Sequence, residues 1–264
     1  MFKLHDPRPR DIHKASVRDR LLHHAVHRQL YIFLDKTFID DSYSCREGKG
    51  THRALNKFRR FGYKVTSNNT KTAWVLKCDI KKFFASIDQE KLLKILEVHI
   101  PDKDILSLLS ILIRSFHGNI PGTGLPLGNL TSQIFVNEYM NEFDQFMKHT
   151  IKAKYYLRYT DDFIIMNQDK ILLQNMLIEI KKFLHEKLGL TLHPNKVFLK
   201  TLASGIDFLG WIHFPHYRVL RTSTKRRMIK NLKDNQKAET IASYRGMLKH
   251  GNTYKLQQKV FKTQ

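Results

Sequence analysis

Cysteine is nearly missing from this chain: Cys45 and Cys78 are the only two in 264 residues. Two thiols can build neither a disulfide framework nor a four-cysteine zinc site, so a reduced cytoplasm is the expected location. Acidic residues are also scarce, with 24 Asp+Glu against 46 Lys+Arg and a formal charge of +22. Such a field selects a polyanion, either nucleic acid or an anionic membrane surface. Long apolar runs are lacking too. The longest, Ile105 to Ile113, is too short to cross a bilayer. Phe2 to Pro7 has no apolar stretch of the kind that opens a secretory leader. The expected partner is therefore nucleic acid, with no membrane involved. There is no internal repeat, low-complexity tract or Pro/Gly/Ser-rich linker, and 42% hydrophobic residues can bury one large core or two small ones.

The most informative segment runs from Lys154 to Met166 (KYYLRYTDDFIIM). Two apolar and aromatic runs flank Asp161 and Asp162, which predicts a β-hairpin with the Asp-Asp pair at its turn. Adjacent carboxylates repel each other, and a divalent cation would reconcile them. A plain solvated turn is the alternative, because Asp is a common turn residue.

The remaining periodicity predicts an α+β chain. Helices are expected over Val17–Leu34, from Thr51 (read as a cap), from Asp88, from Pro101, from Asn129 and over about Lys170–Leu188, closed by Gly189. Strands are expected at Trp74–Ile80, Val197–Lys200 and Ile206–Trp211, and a Gly/Pro-punctuated loop at Gly118–Gly128. Strand, helix, hairpin, helix, strand is the order of a split β-α-β-β-α-β, ferredoxin-like sheet. In that topology the first strand lies beside the hairpin, so Asp79 can reach Asp161 and Asp162. Three carboxylates on neighbouring strands suit two-metal phosphoryl transfer, with hard oxygen ligands selecting Mg²⁺ or Mn²⁺. His23, His24 and His27 lack a nearby Cys or carboxylate partner and read as packed or solvated side chains. From Arg221 onward, twelve Lys/Arg face two Asp/Glu, with Met228, Ile229, Leu232, Ile241, Met247 and Leu248 at near-helical spacing. Short docked helices with a basic outer face fit this pattern.

These motifs, in this order, resemble the reverse transcriptases. Tyr159-Thr160-Asp161-Asp162 is similar to the family's Tyr-x-Asp-Asp box, and Asp79-Ile80-Lys81-Lys82-Phe83-Phe84 to its motif A. Gly124 to Gln133 resembles motif B, Leu190 to Lys196 motif D, and Phe208-Leu209-Gly210-Trp211 the primer grip of motif E. Pro7-Arg8-Pro9-Arg10 and Arg18-Asp19-Arg20 resemble the first fingers motif, and Ser243 to His250 falls where a thumb belongs. The resemblance implies a right-hand polymerase with partial fingers (1–72), a ferredoxin-like palm (73–215) and a short helical thumb (216–264). It implies two metal ions on Asp79, Asp161, Asp162 and the Ile80 backbone. The nucleotide would meet Arg8, Arg10, Arg20, Leu127, Gly128 and Gln133, with Phe84 as the steric gate beneath the sugar. Lys196 would protonate the leaving pyrophosphate. Tyr159, Thr160, Phe208, Leu209, Gly210 and Trp211 would meet primer and template. The implied partners are an RNA template, a DNA or RNA primer and dNTPs.

Motif B departs from the common Leu-Pro-Gln-Gly…Ser-Pro form, with Leu127 for the glutamine and Gln133 for the proline. That variant is similar to diversity-generating retroelement enzymes, which implies errors opposite template adenine and a small basic accessory protein. Retron and group II intron-type enzymes share most of the other motifs and remain alternatives. A non-catalytic RNA-binding relic is the alternative from a different class. The chain opens almost inside the first motif, so incomplete fingers are expected.

Overall fold

A computed structural model describes residues 2–4, 10–12, 15–116, 118 and 120–261. A short hairpin, β1 (Phe2–Leu4) and β2 (Arg10–Ile12), precedes helix α1 (Val17–Leu34) and helix α2 (Thr51–Val65). Then come β3 (Trp74–Asp79), the short α3 (Phe83–Ser86), α4 (Gln89–His99), α5 (Lys103–Arg114) and α6 (Leu130–Gln145). The last runs on through a wider π turn to Thr150. Next are β4 (Tyr156–Tyr159), β5 (Asp162–Asn167), α7 (Lys170–Leu188) and β6 (Phe198–Thr201). A three-stranded meander follows, β7 (Ile206–Phe208), β8 (Trp211–His213) and β9 (Arg218–Leu220). Helices α8 (Thr222–Asp234), α9 (Ala238–Leu248) and α10 (Tyr254–Phe261) end the described chain.

The central sheet has the order β4-β5-β3-β6, with every pair antiparallel. The first strand therefore lies against the hairpin, as the β-α-β-β-α-β pattern predicts. Strand alternation assigns the two faces. Leu76, Cys78, Phe163 and Ile165 join one apolar cluster with α4, α6 and α7. Val75, Leu157, Ile164 and Met166 join a second with α2 and the meander. Both faces are thus covered, and helices carry the cover on each side.

Several boundaries differ from the sequence reading. Gly50, with φ 93°, caps α2, while the Thr51 hydroxyl lies 3.1 Å from the Tyr159 hydroxyl. Asp102 rather than Pro101 opens α5, its carboxylate accepting from the Asp104 and Ile105 amides. Asp88 and Asp169 cap α4 and α7 in the same way, and Gly189 closes α7 at φ 64°. The segment Ile206–Trp211 is not one strand. Leu209 and Gly210, both with positive φ, turn it into a hairpin. The Asp-Asp pair likewise does not form its turn: Thr160 and Asp161 do, and Asp162 is already the first residue of β5.

Candidate active site

Asp79 ends β3, and its register partner is Asp162 at the start of β5. Both share the sheet face of Val75 and Ile164, beyond the point where the apolar cover stops. Directly opposed side chains sit close together, and like charges there are destabilising. Asp161 occupies the adjoining turn, and its carbonyl accepts from the Ile80 amide at 3.1 Å. Three carboxylates are therefore brought to one end of one sheet.

Two lysines meet this charge. Lys77, two residues before Asp79 and on the same face, places Nζ 3.1 Å from Asp162 Oδ2. Lys196 places Nζ 2.8 and 2.9 Å from the two oxygens of Asp79. The segment carrying Lys196 is held beside β3, since the His193 amide donates to the Asp79 carbonyl at 2.7 Å. Leu192 also bridges Ile80. Asp162 remains under-satisfied, because its Oδ1 is buried without a hydrogen-bond partner. Burial pushes its carboxyl up to about 7; Lys77 opposes this, while Asp161 and Asp79 add to it. Among the described residues, no three Asp, Glu, His or Cys side chains converge as a ready-made cation cage. The donor set nevertheless fits a hard divalent cation, since an orphaned carboxylate oxygen and clustered anionic charge are what such an ion relieves. The ammonium groups of Lys77 and Lys196 stand in for that charge.

The hairpin is braced by a network that the motifs did not disclose. Arg158 is fully buried and forks onto Asp144 of α6, Nε to Oδ1 at 2.8 Å and Nη2 to Oδ2 at 2.6 Å. Its remaining donors reach Ser42 Oγ and the Thr160 carbonyl, each at 3.0 Å, and the Tyr156 hydroxyl donates to Asp144 at 2.6 Å. Thr160 has φ 57°, costly for a β-branched residue, and its hydroxyl is tied to Ser44 Oγ at 2.6 Å. A lone arginine in an otherwise apolar strand was the available signal, for a buried guanidinium needs a carboxylate.

Phe84 lies half-buried on α3, edge-on to Phe83 at 5.6 Å. The Gly/Pro loop is bonded to this turn, Leu125 amide to Phe84 carbonyl at 2.9 Å and Gly124 amide to Ile87 carbonyl at 2.7 Å. Leu127 and Gly128 (φ 112°) follow, and Asn129 starts α6 without a side-chain cap. Gln133 sits in the first turn of α6. His23 packs against that turn, Nδ1 2.8 Å from Thr131 Oγ1, so it is a packed histidine as expected. Arg20 is exposed one turn earlier on α1. Arg10 falls in β2, and Arg8 lies outside the described residues.

The primer-grip reading needs correction at Phe208. Phe208 is fully buried against Phe58, with ring centroids 5.6 Å apart, and Trp211 is buried beside it. The Phe208 side chain is core. The turn Leu209–Gly210 and Trp211 line a groove that also contains Lys77, Asp162, Arg221 and Arg227. Tyr159 pairs in register with Asp162 and packs on the second cluster.

Comparison with known proteins agrees with this layout. The chain is 24% identical to protein YkfC of Escherichia coli K12, over 74% of this chain and 60% of that one. It is 23% identical to the group II intron-encoded protein LtrA of Lactococcus lactis subsp. cremoris, over 79% and 44%. The chain thus spans less than two thirds of these relatives. Among solved structures, telomerase from Candida albicans in complex with the TWJ fragment of telomeric RNA shares the fold. Its TM-score is 0.62, with 14% identity, 91% of this chain covered and 46% of that one. With residues 4–213 matching it, the chain belongs to the reverse transcriptase (RNA-dependent DNA polymerase) family.

Proposed function

We propose that the chain synthesises DNA on an RNA template, adding dNTPs to a DNA or RNA primer, with Asp79, Asp161 and Asp162 as catalytic residues. The observation that carries this reading is the Asp79–Asp162 register pair with Asp161 in the adjoining turn. These three side chains, with the Ile80 backbone, would hold two Mg²⁺ ions, or Mn²⁺ in their place. Bound there, the ions supply charge neutralisation and activation of the primer 3′-hydroxyl.

Every other contribution comes from the chain itself. Lys77 holds Asp162 in place by one oxygen, leaving the other directed away from that bond. Lys196, once released from Asp79, stands within the site as a proton donor for the leaving pyrophosphate. Phe84, fixed by the bond between its carbonyl and the Leu125 amide, forms the wall beneath the incoming sugar. The start of α6, which the Asn129 side chain leaves uncapped, favours phosphate, and Arg8, Arg10 and Arg20 would add positive charge. The groove from Asp162 past Leu209–Gly210 to Arg221 and Arg227 is the path assigned to the primer strand. Residues 1–72, 73–215 and 216–264 would then act as fingers, palm and thumb in a cytoplasmic enzyme.

Leu127 and Gln133 favour a diversity-generating enzyme that errs opposite adenine and works with a small basic accessory protein. Likeness to intron-encoded LtrA favours an intron-type enzyme instead. Primer extension on a mixed-sequence RNA with Mg²⁺, followed by cDNA sequencing, tests all of this. Asp161→Asn should abolish synthesis, by about a thousandfold or more. Errors concentrated at adenine would support the diversity-generating subtype, and even or sparse errors the intron type. Template binding that survives Asp161→Asn, with no synthesis by the parent under either metal, would leave the relic.

A further inference from the structure

Behind the meander lies a second basic concavity, separate from the catalytic groove. It is a cavity of about 370 Å³ between α2, the β8–β9 turn and the 249–252 loop, and it opens into a broader groove along α2. His250, stacked on His52 at 3.7 Å, walls it off from the carboxylates. Gly251 lets the loop lie directly on Trp211, where an added Cβ would fall 2.0 Å from the indole.

Its walls carry Arg59, Arg60, Arg218 and Lys249. Among the described residues, none of these four has a carboxylate within ion-pair distance, although Lys49 and Lys57 nearby are both paired. The sequence explains why: no Asp or Glu occurs between Glu47 and Asp79, between Asp207 and Asp234, or after Glu239. All three wall segments come from those stretches. Burial and the Arg59 charge both work against the Arg218 cation, whose guanidinium is fixed by the His250 carbonyl and by Asn56 at 3.1 Å. Uncompensated cations held this close cost free energy that an anionic ligand returns. Aromatic rings are interleaved with them. Tyr63 and Tyr217 are 51% and 47% exposed, and Phe214 stacks behind Tyr217 at 4.9 Å. Exposed rings between cations in a concave site are the pattern of single-strand recognition, in which bases stack and phosphates pair.

We propose that this groove binds single-stranded nucleic acid outside the catalytic cleft, with phosphodiesters on Arg59, Arg60, Arg218 and Lys249 and unstacked bases on Tyr63 and Tyr217. The strand is either unpaired template RNA or displaced product DNA, which present the same chemistry here.

The test uses the full chain with its cleft saturated by a short primer–template hybrid. Fluorescence anisotropy then follows labelled 15-nucleotide RNA and DNA of one sequence at several salt concentrations. The parent should bind at least one of them, and the tighter of the two identifies the source. Arg59→Gln/Arg60→Gln/Lys249→Gln should weaken that binding about tenfold or more. It should also flatten the log–log salt slope by about 2, from about 0.7 per lost phosphate contact. Tyr63→Leu/Tyr217→Leu should weaken it about fivefold or more without changing the slope. Extension of the short hybrid should be unchanged in both variants. In the parent, thionucleobase photocrosslinks should fall on the peptides containing Tyr63 or Tyr217. Unaltered affinity and slope in the charge variant, or crosslinks confined to the cleft, would overturn the proposal. These binding readouts hold even if the parent extends no primer, so failure of the polymerase reading is seen separately.

Discussion

Lys196 spans both carboxylate oxygens of Asp79, at 2.8 and 2.9 Å, so a metal ion held by Asp79, as proposed, would compete with this lysine for one ligand. The pair is partly exposed, and such pairs contribute roughly 0.2–1 kcal/mol. Lys196→Met should therefore lower the Mg²⁺ concentration for half-maximal extension by about 1.5- to 5-fold. The same variant should reduce the maximal rate by about a hundredfold if Lys196 protonates pyrophosphate. A metal titration of single-nucleotide extension separates the two effects. A raised Mg²⁺ requirement would mean that Lys196 organises Asp79 rather than competing for it.

Asp162 should make the protein less stable as pH rises when no divalent ion is present. Its carboxyl is pushed up to about 7 in the fold, chiefly by burial, against about 3.9 in an unfolded chain. Between those values the folded state binds the extra proton, so this contribution is full below about pH 4 and is lost through pH 7. Asp162→Asn cannot ionise and should escape the loss. The Tm difference between variant and parent in EDTA should be small at pH 4.5 and grow to several degrees in the variant's favour at pH 8. Adding Mg²⁺ at pH 8 should raise the parent more than the variant, because ligand binding stabilises only the folded state. An unchanging difference across pH would detach this carboxylate from the stability of the site.

The buried Arg158–Asp144 pair should behave as one unit. Removing either partner strands a charge in an apolar interior, at a cost of about 3–5 kcal/mol. Arg158→Leu and Asp144→Leu should each lower the denaturation midpoint sharply, while the double variant recovers much of the loss. Synthesis should not recover with it, because Thr160 then lacks the bond that holds its carbonyl in the turn. Urea melts and extension rates of the three proteins decide this. Additive losses in the melts would count against coupling.

How far the sequence could be read follows the range of the interactions involved. The alternation of Trp74 to Asp79 and of Asp162 to Asn167 is local, and it places the carboxylates on one face of one sheet. The caps at Asp88 and Gly189 are local too, and they were legible. What escaped depends on partners far along the chain. The bond from Arg158 to Ser42 spans 116 residues, and the clasp of Lys196 on Asp79 spans 117. Pro101 misled because Asp102 beside it offers a carboxylate to two amides, which a proline cannot match. In motif E the aromatic residues suggested contact with primer, but strand alternation sends Phe208 into the core. The positive-φ turn at Leu209–Gly210 is left at the groove, with Trp211 beside it.

Under the proposed diversity-generating reading, the base at which errors concentrate should depend on Leu127. This residue lies two positions beyond the bond between Leu125 and the Phe84 carbonyl, on the loop bonded to the proposed nucleotide wall, and it is half-buried. A leucine there offers shape but no donor or acceptor to brace a nascent pair, so pairing errors meet less polar discrimination. Sites that hydrogen-bond their ligand reject one lacking the partner group far more strongly than apolar sites reject a near-isostere. Leu127→Gln should therefore lower misincorporation opposite adenine by about tenfold relative to the other three template bases, with a smaller change in rate. Sequencing cDNA made on one mixed RNA template by parent and variant measures it directly. An error spectrum that does not move would place fidelity elsewhere on the nucleotide wall, and Phe84 would then be the residue to vary.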